Sequence, residues 1–202
     1  MKLYSAQAPN PRRVRIFLAE KGLELPCEEL EIGAGGTRAP EFLKKNSLGE
    51  APVLELEDGT IITESVAICR YLEALHPEPP LFGADPVAQG LVEMWNRRLE
   101  LGVMNPIGQI GLHSFDFFKD KLEQVPAYAE TQRRLALKKL AWLDGEISDG
   151  RPFVAGEAFS VADITGMAAL IIAGLVRLEL PAELTHLQRW AERLRGRPSW
   201  SA

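Results

Sequence analysis

Cysteine is scarce in this chain: Cys27 and Cys69 are the two in 202 residues. Two cysteines make no disulfide framework, and no C-x-x-C pair is present. Reduced thiols in a cytoplasmic protein are the expectation. His76, His113 and His186 are the three histidines, and they lack the clustered spacing of a structural zinc site. Positive charge is not in excess. Lys and Arg number 23 against 28 Asp and Glu, a formal net charge of -5, so no global attraction to nucleic acid or an anionic membrane is expected. Long apolar runs are missing too. The longest small-and-apolar stretch, residues 167–176, is too short to span a bilayer, and residues 1–5 lack the apolar segment of a secretory signal. No G-K-[ST], G-x-S-x-G or H-E-x-x-H sequence occurs. The glycines at 33, 35 and 36 make only an incomplete phosphate-loop pattern and read as surface loop.

What is present reads as folded protein. Hydrophobic residues make up 46% and charged residues 25%, close to the average of globular domains, and the length holds one large domain or two small ones. The first 76 residues alternate short strands with helical patterns. A strand is expected at 2–4, then a helix with Asn10 as N-cap and Pro11 at its first position. Val14, Phe17 and Leu18 form its apolar stripe, and Lys21-Gly22 its stop. A strand at 27–32, the loop Gly33-Ala34-Gly35-Gly36 and a short helix at 41–45 follow. Asp58-Gly59 predicts a hairpin of 53–56 with 60–63, ahead of a helix through Ile68, Leu72 and Leu75. The order βαβα then ββα predicts a small mixed sheet.

Pro77, Pro79, Pro80 and Pro86, with Gly83 among them, break both periodicities. Residues 77–86 are therefore expected to link a domain at 1–76 to an all-helical one at 87–202. In the latter, a helix begins at Leu91, Met94 and Trp95 and is bent or interrupted by Gly102, Pro106, Gly108 and Gly111. Ala136, Leu140, Leu143 and Ile147 mark a second helix, Ser160-x-x-Asp163 is a capping-box start to a third, and Leu187, Trp190, Ala191 and Leu194 mark a fourth. Trp142 and Trp190 are expected in the core.

Chemistry-bearing residues gather at the expected element starts of the first domain. Residues 8–15, APNPRRVR, set an amide and three arginines at a helix N-terminus, where an anion such as a thiolate is stabilised. On local sequence alone, the favoured reading of the same residues is a cap at Asn10 and a solvated basic face. Gly49-Glu50-Ala51-Pro52-Val53 opens a strand on proline, and with a cis bond before Pro52 the Ala51 backbone would pair with an extended ligand. Thr63-Glu64-Ser65 offers N–H groups and a hydroxyl to a carboxylate, with Glu64 placed for an ammonium. Singly, each is ordinary turn or cap chemistry. His113 with Phe115, Phe117 and Phe118 reads either as part of an apolar pocket or as a helix packed into its core.

Together the stretches PNPRRVRIFLAEKG (9–22), NSLGEAPVLEL (46–56), ESVAICRYL (64–72) and RPFVAGEAFSVADI (151–164) resemble the cytosolic glutathione transferases in order and spacing. The likeness is to bacterial and fungal branches that lack the usual catalytic Tyr, Ser or Cys. It implies an α/β thioredoxin-like N-terminal domain, an all-α C-terminal domain and glutathione as cosubstrate. Glu64 and Ser65 would hold the γ-glutamyl end and Ala51, before a cis Pro52, the cysteinyl part. The sulfur would lie at the first helix, and the acceptor between the domains near a helix through 113–118.

Two departures mark this chain. Ala8 stands where a hydroxyl or thiol is usual, so Asn10 is the expected thiolate donor, with Ser5 and His113 as the other candidates. Glu50 stands where Gln or Lys is common near the glycyl carboxylate, and Lys45, Lys44 or Arg38 is expected to supply the positive charge. The expected activity is transfer of the glutathione thiolate to a small hydrophobic electrophile by a cytoplasmic, detoxifying homodimer. A glutathione-dependent disulfide reductase and a non-catalytic protein-binding module are the alternatives. No metal, nucleic acid or membrane partner is expected, and neither cysteine is expected to be needed for catalysis.

Overall fold

The computed structural model describes residues 1–33 and 35–202, so Ala34 of the expected glycine loop lies outside the described residues. The chain divides into two units, residues 1–81 with 198–202, and residues 82–197. The last five residues, expected in the helical domain, belong instead to the first unit. They form a 3-10 turn, Pro198–Ser201, in which the Trp200 carbonyl accepts from Arg12 and the Ser199 hydroxyl bonds Glu20.

The first unit is built from β1 (Lys2–Ser5), α1 (Pro9–Lys21), β2 (Cys27–Glu29), α2 (Pro40–Lys45), β3 (Val53–Glu55), β4 (Ile61–Thr63) and α3 (Ser65–Leu75). The sheet order is β2-β1-β3-β4. β1 and β2 run parallel, as the α1 crossover between them requires, and the other two pairs are antiparallel. Side chains alternate across it. Tyr4 and Val53, paired in register, pack with Phe42 of α2, whereas Leu3 and Leu54 point to the opposite face. α1 and α3 pack side by side and bury Val14, Phe17, Ile68 and Leu72 completely. β2 is shorter than the expected 27–32 and all three of its residues are exposed, because it is the sheet edge and has a partner on one side only.

α1 starts at Pro9, with Ala8 in the N-cap position and no side-chain cap. The expectation of Asn10 as N-cap is thus corrected. A proline has the helical φ built in and no N–H to lose at the first position, so Pro9 rather than Asn10 sets the start. The far end closes as expected: Gly22 has φ 63, and Leu23 N–H bonds the Leu18 carbonyl at 2.9 Å.

The second unit contains α4 (Pro86–Leu99), α5 (Asn105–Leu112), α6 (Pro126–Glu146), α7 (Val161–Leu175) and α8 (Thr185–Arg195). Asp85 caps α4 by accepting from Val87 and Ala88 N–H, both at 2.9 Å. The expected bend is a π turn, Glu100–Met104, directly ahead of Pro106, whose ring removes one i→i−4 bond. The helix expected through 113–118 ends instead at Leu112, and Asp116–Phe118 is a short 3-10 turn. α7 is buried along most of its length. Gly166 permits its approach to α8: a Cβ there would stand 2.3 Å from the Trp190 ring.

Candidate functional site

Register places three segments at one end of the first unit's sheet. Tyr4 of β1 pairs with Val53 of β3, and Val53 pairs with Thr63 of β4. β1 and β4 run toward that end and β3 runs away from it. The residues leaving β1 (6–10), entering β3 (Ala51-Pro52) and leaving β4 (Glu64-Ser65) therefore gather there. The Ala51–Pro52 bond is cis, as expected from the resemblance.

The turn before it is tied from within. Asn46 is buried, donates from Nδ2 to the Glu50 carbonyl at 2.7 Å and accepts from Leu48 N–H at 3.2 Å. Gly49, at φ +63, is required by crowding as well as by backbone: a Cβ would lie 2.5 Å from Arg38 Nη1 and 2.9 Å from the Thr37 carbonyl. Glu50 is exposed.

Glu64 occupies the N-cap position of α3 with φ 67 and ψ 119, an uncommon backbone state for a residue with a side chain. Its carbonyl accepts from Ile68 N–H at 2.9 Å, and its side chain is exposed. Ser65 is buried, and its Oγ accepts from Arg13 Nη1 at 3.2 Å.

The three arginines of α1 are neither a solvated face nor a common anion cluster. Arg12 reaches the Trp200 carbonyl, Arg13 is 1% exposed and holds Ser65, and Arg15 donates to Ser5 Oγ at 2.7 Å and to the Ala6 carbonyl at 3.1 Å. Ser5 is thereby corrected as a thiolate donor. It is fully buried, and its hydroxyl is engaged by Arg15 and by the Cys27 sulfur across the parallel pair. Asn10 lies exposed in the first turn. Pro9 and Pro11 carry no N–H, and Arg12 N–H bonds the Ala8 carbonyl at 3.0 Å. Among the described residues of that turn, the backbone N–H left without a bond is that of Asn10, with its exposed side-chain amide beside it, while Arg12 Nε is buried without a hydrogen-bond partner.

Lys45, expected near a carboxylate ligand, is paired with Glu55 at 2.8 Å and 2.9 Å, and Tyr4 donates its O–H to the same carboxylate at 2.7 Å. Lys45 and Tyr4 hold the Glu55 carboxyl below its usual range. Lys44 pairs with Glu41. Arg38, exposed, donates to the Leu48 carbonyl at 3.0 Å. In the second unit, His113 Nδ1 accepts from Val125 N–H at 3.1 Å, and its ring meets Tyr128 edge-on at 5.0 Å. A neutral His113 therefore carries its proton on Nε2.

Neither thiol is poised to react. Burial pushes Cys69 up to about 12, and Cys27, exposed as a residue, is raised chiefly by the partial loss of water around its thiol. A maleimide at neutral pH should label the folded protein slowly and at Cys27 alone, with Cys69 reacting only after denaturation. Mass spectrometry of the labelled peptides checks this, and fast labelling of Cys69 would contradict its burial.

The sequence reasoning missed Arg13 as an individual. Its signal was the spacing Arg13, Phe17, Lys21, one helix face with an aromatic in the middle.

A family model for the glutathione S-transferase N-terminal domain matches residues 3–80, and one for the C-terminal domain matches 103–198. The chain belongs to the glutathione S-transferase family. Glutathione S-transferase 2 of Saccharomyces cerevisiae is 39% identical over 204 residues, covering 98% of this chain and 87% of that protein. The crystal structure of Gtt2 from the same yeast superposes with a TM-score of 0.92 at 38% identity, over 100% of this chain and 99% of the other. The transferase URE2P6 from Phanerochaete chrysosporium, solved in complex with oxidized glutathione, gives a TM-score of 0.84 at 25% identity, over 99% and 92%. The mixed four-stranded sheet with its helices and the separate helical unit are the fold of this transferase family, whose cosubstrate is glutathione.

Proposed function

We propose that this transferase binds glutathione across the sheet end formed by residues 6–10, Ala51-Pro52 and Glu64-Ser65, and passes its thiolate to a small hydrophobic electrophile. The observation that carries the reading is the start of α3. A hydroxyl and helix N–H groups suited to a carboxylate stand beside an exposed Glu64 suited to an ammonium, and the two charges of a γ-glutamyl group are adjacent in the same way. The outlying backbone of Glu64 fits a binding position. The Ala51 backbone takes the cysteinyl part, and Arg38, beside the 48–50 turn, takes the glycyl carboxylate in place of Lys45.

Asn10 then serves the sulfur. Its amide N–H groups, backbone and side chain, lie at the positive end of α1 and stabilise the thiolate over the thiol. Lowering the thiol pKa toward ambient pH raises the nucleophile's population at some cost in intrinsic reactivity. A cytoplasmic homodimer in detoxification belongs to the same reading on family likeness alone. Among the described residues no helix is long and apolar enough to cross a membrane.

Calorimetric titration with reduced glutathione tests the site. Ser65→Ala should weaken binding by ~1–3 kcal/mol, the worth of a charge-assisted hydrogen bond out of water. Unchanged affinity in a folded variant rejects the assignment. A panel of electrophiles and mixed disulfides decides the reaction class. Turnover of disulfides alone would make the enzyme a reductase, and glutathione binding without any turnover would make it a binding module.

A further inference from the structure

α1 and α3 face each other through two stripes of matched spacing. Arg13, Phe17 and Lys21 lie on α1, and Ser65, Cys69 and Glu73 on α3, each four residues apart. One end rung is the Arg13–Ser65 hydrogen bond and the other is the Lys21–Glu73 ion pair. Phe17 and Cys69, fully buried, lie between. The rung at the start of α3 sets a guanidinium against a neutral hydroxyl.

That hydrogen bond has one polarity. A guanidinium has N–H donors and no acceptor, so Arg13 uses a lone pair of Ser65 Oγ and cannot take its hydrogen. The Ser65 O–H must donate elsewhere. Arg15 and Ser5 make the same kind of pair between α1 and β1, but there the hydroxyl also meets the Cys27 sulfur.

We infer that Arg13 is a positioning residue for the carboxylate end of glutathione. It fixes Ser65 Oγ so that the O–H is presented to the γ-glutamyl carboxylate, and it sets a buried positive charge behind the α3 N-terminus. At 1% exposure it acts through Ser65 and does not touch the ligand. The inference rests on the proposed placement of that carboxylate at Ser65.

The test compares two ligands by calorimetry. One is reduced glutathione. The other is its α-decarboxylated analogue, 4-aminobutanoyl-cysteinyl-glycine, which keeps the ammonium and the rest of the peptide. Arg13→Met and Ser65→Ala should each weaken glutathione binding about tenfold, and the double variant about twentyfold rather than the hundredfold of independent sites. The analogue should bind wild type and Arg13→Met within about twofold of each other. Arg13→Gln keeps an N–H donor without the charge and should lose about threefold for glutathione only.

If Arg13→Met does not fold, Arg13→Gln carries the comparison. A loss confined to glutathione supports the inference. A loss shared by the analogue, no loss, or independent effects of the Arg13 and Ser65 changes overturns it. Should Ser65→Ala alone leave glutathione affinity unchanged, the placement of the carboxylate fails and the inference falls with it. If Ser65→Ala weakens binding while neither Arg13 variant does, the site stands and only the inference falls.

Discussion

Asp163→Ala should cost about 4 kcal/mol of stability and lower the melting temperature by about 10 °C. Asp163 is fully buried near the start of α7 and accepts four hydrogen bonds. Val154 N–H and Trp190 Nε1–H reach Oδ1 at 2.9 Å and 3.0 Å, and the N–H and O–H of Ser160 reach Oδ2 at 3.1 Å each. One carboxylate thus ties the α7 cap, the preceding loop and α8 together. Alanine would leave three N–H donors buried without that acceptor, and each such loss costs about 1–3 kcal/mol, not fully additively.

The pH dependence separates hydrogen bonding from burial. Burial raises the Asp163 carboxyl above its usual range despite its four donors. The native state then holds this proton more tightly than the unfolded chain. Its contribution to stability is greatest in acid and declines as pH rises through the window above the unfolded value of about 3.9. Asp163→Asn has no proton to lose there. The stability gap between wild type and Asp163→Asn, from urea melts across pH, should narrow as pH rises toward neutrality. A gap that widens would mean that the hydrogen bonds win and the carboxyl is held below its usual range.

This cap was legible in the sequence because Ser160 and Asp163 are local to each other and their spacing is a helix-start signature. The hairpin at Asp58-Gly59 was legible for the same reason, and Gly59 takes φ 83. What the sequence concealed depends on residues far apart in the chain. Asn10 looked like a cap, but the choice between two prolines for the first helical position was settled by Pro9. Ser5 looked available, yet Arg15, one strand-to-helix connection away, engages it. The three arginines formed one basic run in sequence, while their partners at 200, 65 and 5 are scattered along the chain. The segments of the proposed glutathione site stand out in the sequence by their order and spacing, and strand register brings them to one end of the sheet. The side-chain bonds that prepare Ser65 were not, because no local pattern encodes a contact between α1 and α3.

Lys21→Met should destabilise the protein by about 3 kcal/mol, and it should do so without weakening glutathione binding to the folded protein by more than about twofold. The Lys21 side chain is 0% exposed, and its ammonium meets Glu73 and the carbonyls of His76 (2.7 Å) and Pro79. Its three donors are matched to three acceptors, which fastens α1 to the end of α3 and to the chain leaving it. Methionine keeps much of the volume but removes the charge from beside Glu73 and the donors from both carbonyls. Lys21→Met with Glu73→Leu should recover part of the loss, since an apolar pair replaces a buried ion pair at little cost, while the two carbonyls still lack their donor. Arg13 and Lys21 lie eight residues apart on one helix, about 12 Å, beyond the range at which substitutions ordinarily couple. Their roles should therefore separate: Arg13 variants move the dissociation constant, and Lys21 variants move the unfolding midpoint. Urea unfolding and glutathione titration on the same preparations read the two quantities independently. A Lys21→Met protein that stays folded yet loses glutathione about as severely as Arg13→Met would show that the whole face of α1 against α3, and not its first rung, sets the site.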